Sequence, residues 1–284
     1  MNRIFQHITM NNNSTQPGPF IKARTWLQHQ VRLIFIALQF FTRIQIPAWV
    51  GFDDSWLHQA SRYFVLVGVL IGALASSAYF CLTLLFPQMI AVLLSTIFSI
   101  YLTGAFHEDG FADVCDGFGG AVTPERTLEI MKDSRIGAYG AIGILLMLAL
   151  KCASLFYLPT QTVIAALLVG HPVSRLASTA FIWRLNYVRA EGKAKPLAQH
   201  MTTGEFMTAL CCALLPIAMV LALGWLSWLS LLTGLIALVV AGVYLSRVFV
   251  RRIGGYTGDC LGAVQQLSEV AFYLGLVAAL RMTY

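Results

Sequence analysis

The chain has 284 residues, 58% of them hydrophobic and only 11% charged, with a mean hydropathy of +0.72. A soluble domain carries about a quarter charged residues, so the composition excludes an ordinary water-soluble globule and predicts a polytopic all-α membrane protein. The net charge of +6 fits Lys and Arg gathered in cytoplasmic loops; there is no basic patch with interleaved aromatics, which argues against nucleic acid as a partner.

In chain order, residues 1–30 are polar, and the run from Asn11 to Pro19 predicts a disordered cytoplasmic tail with no signal peptide before it. Residues 31–284 are expected to form a single integral membrane catalytic domain. The apolar run Leu33–Phe41 is bracketed by Arg32 and Arg43, too short to cross about 30 Å of hydrocarbon, and predicts an interfacial or re-entrant helix ending at Pro47. Spans are then predicted over Tyr63–Phe86, Met89–Phe106, 137–158, Val163–Trp183, Phe206–Trp225 and Leu229–Val250, with a last helix reaching Leu280. This makes a transmembrane helix bundle of about seven spans. Gly68 and Gly72 permit close helix packing. The segment from His171 to Arg175 is expected to interrupt its span, with a kink at Pro172. The six cysteines have no metal or CxxC spacing and read as small hydrophobic residues.

The loops after the second, fourth and sixth spans carry Lys and Arg (Arg184, Arg189, Lys193 and Lys195 after the fourth), whereas those after the first, third and fifth carry none. The bias puts the N-terminus in the cytoplasm. Lys151 and Arg281 depart from the pattern and are expected to snorkel from the far ends of their helices.

The acidic residues are the informative ones. The chain has 13, and four of them, Glu108, Asp109, Asp113 and Asp116, fall within nine positions between apolar runs. Carboxylates are costly near hydrocarbon and call for a functional explanation. Asp109, Asp113 and Asp116 are spaced i, i+4, i+7, one stripe of a helix. Three like charges so close repel unless a cation lies between them, and Mg²⁺, with its preference for hard oxygen ligands, suits them. His107 admits three roles: general base, metal ligand or interfacial polar residue. Lys132 and Arg135 are placed either to meet phosphate oxygens or to anchor the loop at the cytoplasmic face. Gly137 and Gly140 open a helix whose N-terminal amides can hold an anion. Arg175, at membrane depth, requires an anionic partner, either a bound phosphate or the aspartates. On the last helix Asp259, Gln266 and Glu269 lie near one face, to complete a metal site or bind a polar ligand.

His107-Glu108-Asp109-Gly110 through Asp116-Gly117, Met131-Lys132-Asp133-Ser134-Arg135-Ile136-Gly137-Ala138-Tyr139-Gly140 and Gly255-Tyr256-Thr257-Gly258-Asp259 with Gly262-Ala263 resemble the cobalamin synthase family, the adenosylcobinamide-GDP ribazoletransferases. Phe41-Thr42-Arg43, Arg62-Tyr63-Phe64 with Gly68 and Gly72, and Ser174-Arg175 are similar too, so the resemblance runs from about residue 33 to the C-terminus. Val65 stands where the family pattern has a proline. The resemblance implies Mg²⁺-dependent transfer of adenosylcobinamide phosphate from adenosylcobinamide-GDP to α-ribazole or its 5′-phosphate, releasing GMP, in the bacterial inner membrane with the active site facing the cytoplasm. It further implies metal ligation by Asp109, Asp113 and Asp116. Proton acceptance falls to His107 or an aspartate, and phosphoryl-charge stabilisation to Lys132, Arg135 and Arg175. Asp259 and Glu269 are candidate substrate contacts, and the lipid bilayer and other corrinoid-pathway enzymes are candidate partners.

Two alternatives are weaker. Other aspartate-cluster transferases, of CDP-alcohols or prenyl groups, differ: Asp109-Gly110 lacks the following Ala-Arg of the first, and only one such cluster is present for the second. A transporter would place Pro172, Arg175 and Glu269 at a midplane site in a broken helix, with inverted repeats. No such repeat is visible.

Overall fold

A computed structural model describes residues 19–51, 53–189 and 200–282. Among the described residues there are eleven α-helices and one isolated β-bridge, between Tyr187 and Tyr256. The helices are α1 (Pro19–Phe41), α2 (Asp54–Ala60), α3 (Phe64–Thr83), α4 (Gln88–Thr103), α5 (Phe106–Gly120), α6 (Pro124–Ile130), α7 (Ala138–Phe156), α8 (Thr160–Arg184), α9 (Thr203–Ala222), α10 (Trp228–Ile253) and α11 (Gly258–Met282). Six helical segments, the continuous run Ser55–Thr83 and α7 to α11, are long and apolar enough to cross a membrane; α4 and α5 meet the same criterion only as a pair bent by 90°, a broken span or a re-entrant loop. The chain is thus an all-α polytopic membrane bundle.

Two helices form its centre. The most apolar windows of α8 and α11 are 72% and 67% buried, against 22% for α9 and α10, which turn most of their surface outward. α8 packs on α3, α9 and α11, and α11 also takes α5 and α10. The α3–α8 contact is as close as backbone allows: a Cβ on Gly68 would stand 2.9 Å from Pro172 Cα, and one on Gly72 2.7 Å from the Leu167 carbonyl. Small residues at such crossings let van der Waals packing substitute for the hydrophobic drive that lipid removes.

Three expectations are corrected here. α8 is one continuous helix through Pro172, whose backbone lies against Gly68 of α3, so the span is not interrupted. The segment expected to be a tail is helical from Pro19 onward; the part of it before Pro19 lies outside the described residues, as do Lys193 and Lys195. α1 is also longer than the run Leu33–Phe41 indicated, and buries Leu33, Ile36, Ala37 and Phe41 as an i, i+3, i+4, i+8 stripe against the bundle.

The 90° bend between α4 and α5 is made by two consecutive left-handed residues, Gly104 (φ 67) and Ala105 (φ 59). Glycine takes this conformation freely; alanine does so at a cost of roughly 1–2 kcal/mol. The Arg43 amide donates to the Leu102 carbonyl at 2.9 Å, and its guanidinium lies 4.9 Å from the Tyr101 ring centre, bracing the end of α4. Uncharged turns gather at the opposite end of the bundle, where the Gln88 side-chain amide donates to the carbonyls of Phe156 (2.9 Å) and Leu158 (2.7 Å).

Candidate active site

α5 and α11 cross at two glycines. A Cβ on Gly110 would lie 2.9 Å from the Asp259 carbonyl oxygen, and one on Gly262 would lie 3.0 Å from that of His107. This close approach brings the start of α11 onto the acidic helix. Asp113, half-buried, then has the charges of Asp259, Asp109, Arg189 and Asp116 around it. Asp109 is exposed at the rim. Arg189 Nη1 lies 2.8 Å from Asp259 Oδ2, placed there by a short pairing of two loops: Val188 N–H donates to the Tyr256 carbonyl and Tyr256 N–H to that of Asn186, both at 3.0 Å. Sequence reasoning left Arg189 among the anchoring charges of its loop; its signal is visible only once residues 186–188 are paired with Tyr256.

Asp116 has a different task. Its two carboxylate oxygens accept from the backbone amides of Gly137 (2.7 Å) and Gly140 (2.8 Å). The anion expected at the N-terminus of α7 is therefore a side chain of the protein itself, and α7 is tied to α5 by charge-assisted bonds that also favour the helix dipole. Both glycines are required, since a Cβ on either would collide with this carboxylate.

Lys132 and Arg135 are exposed. Arg135 forks onto Asp133, Nη2 to Oδ2 at 2.6 Å and Nε to Oδ1 at 3.0 Å, and these hydrogen bonds hold the Asp133 carboxyl down to about 2. Asp116, Arg126, Arg135 and Tyr139 line an open depression of about 650 Å³ beside α5, which puts Arg135, though not Lys132, next to the acidic helix.

The remaining predicted residues form a second cluster deep between α5, α7, α8 and α11. Glu269 is fully buried: Oε1 lies 2.6 Å from Lys151 Nζ and accepts from the Tyr273 hydroxyl at 3.0 Å, while Oε2 accepts from the Gln265 amide and lies 3.4 Å from His171 Nδ1. Lys151 does not snorkel: it is 2% exposed, because a carboxylate within the bundle offers it a partner that lipid does not. Arg175 donates from Nη1 to the His171 carbonyl at 3.0 Å, and Gln266 donates to Glu108 Oε1 at 2.9 Å. Two lysine and arginine charges thus face two glutamates. His107 is buried, stacks at 12° on Phe41, and is acted on by Arg175, Glu269, His171 and Lys151. It faces this inner cluster.

Among the described residues no three His, Cys, Asp or Glu side chains close around a common point. Asp109, Asp113 and Asp259 are hard oxygen donors of the kind Mg²⁺ takes, and that ion commonly keeps several waters and needs only one or two carboxylates plus substrate phosphate.

The fold and the site define a polytopic membrane protein whose acidic helix is met by an arginine-held carboxylate and lies beside a cationic loop. The chain matches the family described as cobalamin-5-phosphate synthase over residues 33–277, and it belongs to that family. It is 43% identical over 257 residues to the adenosylcobinamide-GDP ribazoletransferase of Leptothrix cholodnii, covering 89% of this chain and 97% of that one. It is 42% identical to the ribazoletransferases of Shewanella frigidimarina (89% and 96% covered) and Ralstonia pickettii (89% and 97%). No solved structure matches it.

Proposed function

We propose that this chain moves the adenosylcobinamide-phosphate group of adenosylcobinamide-GDP onto the hydroxyl of α-ribazole or its 5′-phosphate and releases GMP, at the cytoplasmic face of a bacterial inner membrane. Its relatives carry the name of that reaction, and one observation supports placing it at a particular point: the crossing of α5 and α11 that brings the charges of Asp259 and Asp109 to bear on Asp113, with Arg189 held against Asp259.

The steps follow from the chemistry of those residues. The hydroxyl oxygen of the ribazole ribose attacks the phosphorus attached to the cobinamide side, the bridging P–O bond breaks, and GMP departs with the electron pair. Asp113 takes the hydroxyl proton on a carboxylate oxygen. Asp109 and Asp259 are the residues that would hold Mg²⁺, which when bound neutralises charge on the diphosphate. Arg189 orients Asp259 and offers its remaining N–H groups to the phosphates, and Arg135 reaches the same diphosphate after exchanging Asp133 for it. Asp116 keeps α7 and its loop against α5.

The assay is GMP release by purified protein given adenosylcobinamide-GDP and α-ribazole, with Mg²⁺ and after chelation. Metal-dependent release of one GMP per corrinoid joined is expected; folded protein that releases none contradicts the assignment.

A further inference from the structure

We propose that the open depression beside the C-terminal half of α5 is the subsite for the guanosine of the departing nucleotide, an inference that rests on the transferase function above. Asp116 and Gly120 of α5 supply one side of it, Arg126, Glu129 and Ile130 of α6 another, and the loop 131–137 with Tyr139 at the start of α7 the third. Its volume of about 650 Å³ lies within the roughly 300–1,000 Å³ of sites that hold small organic ligands.

Tyr139 offers a platform for a base. A Cβ on Gly119 would lie 2.5, 2.6 and 2.9 Å from Cγ, Cδ1 and Cδ2 of its ring. Cγ can be approached this closely only over a face of the ring, because the tyrosine's own Cβ blocks the edge, so the ring lies flat over Gly119. The ring is nonetheless 58% exposed, which leaves its other face to the depression it lines. A planar base stacks on such a face whatever its sequence of ring atoms.

The charges of the wall choose the base. They come as two exposed ion pairs, Arg126 Nη1 to Glu129 Oε2 at 2.7 Å and Arg135 Nη2 to Asp133 Oδ2 at 2.6 Å. Exposed pairs are held so weakly that a ligand can exchange for either partner. When Arg135 turns to the diphosphate, Asp133 is left with lone pairs free on both oxygens. Guanine presents two adjacent donors, N1–H and the 2-amino group, which match the two oxygens of a carboxylate. Adenine has an acceptor at N1, which sets lone pair against lone pair. The dimethylated benzimidazole of the acceptor has no N–H to offer.

The position suits a leaving group. Asp116 lines the depression and stands three residues after Asp113 on α5, so the two lie on adjacent turns of one face. A phosphate held at Asp113 has its nucleoside running along α5 toward Gly120, and the open mouth gives GMP a way out.

The test is equilibrium binding of GMP and of AMP, with Mg²⁺ present, to purified full-length protein in bilayer nanodiscs. The proteins are wild type, Tyr139→Phe, Tyr139→Ala, the double variant Glu129→Gln/Asp133→Asn, and Tyr157→Ala, with unfolding midpoints recorded for each. Tyr157 is an equally exposed ring just past the other end of α7. Wild type is expected to favour GMP over AMP about tenfold. Tyr139→Ala should weaken GMP about tenfold, with Tyr139→Phe and Tyr157→Ala like wild type. The double variant, whose changes lie at the surface, should bind the two nucleotides alike. Wild type that binds GMP no better than AMP overturns the subsite, and so does a folded Tyr139→Ala or double variant that keeps the wild-type affinity and preference. Protein that shows this preference yet releases no GMP from adenosylcobinamide-GDP removes the transferase function and leaves the nucleoside subsite standing. Turnover that GMP and AMP inhibit equally removes the subsite alone.

Discussion

Lys151 Nζ lies 2.6 Å from Glu269 Oε1, with the two side chains 2% and 0% exposed. The pair joins α7 to α11 inside the bundle, where neither charge has water. Removing one partner from a buried pair strands the other and costs about 3–5 kcal/mol, whereas replacing both with apolar groups of similar size is often neutral. Glu269→Gln and Lys151→Met are each expected to lower the thermal unfolding midpoint in detergent sharply. The double variant Lys151→Met/Glu269→Leu should recover most of that loss. Equal loss in single and double variants would show that the ion pair is not what holds these helices.

Asp116 and Asp113 share a helix and should fail in different ways. Asp116 docks α7 through the Gly137 and Gly140 amides, so Asp116→Ala removes two hydrogen bonds to a charged acceptor, about 1.5–3 kcal/mol each. Unfolding midpoints should drop for Asp116→Ala and hold for Asp113→Asn. Turnover per folded molecule should drop for Asp113→Asn by orders of magnitude and more modestly for Asp116→Ala. If the two variants are interchangeable in both measurements, the division of labour is wrong.

Helix spacing at the α5–α11 crossing sets the site. Gly110→Ala introduces a methyl group 2.9 Å from the Asp259 carbonyl, which must push Asp259 away from Asp113. A displacement of about 1 Å among reacting groups costs on the order of a hundredfold in rate. Steady-state kinetics should show kcat falling by that order in Gly110→Ala, while Gly242→Ala, at a position with open space around it, stays near wild type.

Arg189 is expected to matter more than Lys132. Arg189→Ala frees Asp259 and removes a phosphate donor, so kcat should fall and the Mg²⁺ concentration at half-maximal rate should change. Lys132→Ala, exposed at the surface, should leave both within about threefold, a range corresponding to less than 1 kcal/mol. A metal titration of the two variants separates these outcomes.

The seven apolar runs could be read from the sequence because hydrocarbon imposes length and composition on every span. The acidic stretch stood out for the same reason: carboxylates are expensive there. What could not be read depends on partners distant along the chain. Lys151 has the composition of a snorkelling residue, and only the fold reveals Glu269 beside it. The i, i+4, i+7 spacing correctly placed Asp109, Asp113 and Asp116 on one helix, but it contained no sign that the Gly137 and Gly140 amides would occupy Asp116. The bend at Gly104-Ala105 was hidden because alanine does not advertise a left-handed residue. Arg189 was visible as a loop charge, and its position over Asp259 required the pairing of Val188 with Tyr256.

The measurement closest to the central claim is single-turnover GMP release by wild type and Asp113→Asn in the same bilayer nanodiscs, with saturating adenosylcobinamide-GDP, α-ribazole and Mg²⁺ and with unfolding midpoints recorded alongside. The carboxylates at the α5–α11 crossing being the chemical centre, wild type should release GMP in a burst that chelation abolishes, and Asp113→Asn should release essentially none while unfolding at the wild-type temperature. Release by Asp113→Asn at the wild-type rate would contradict it.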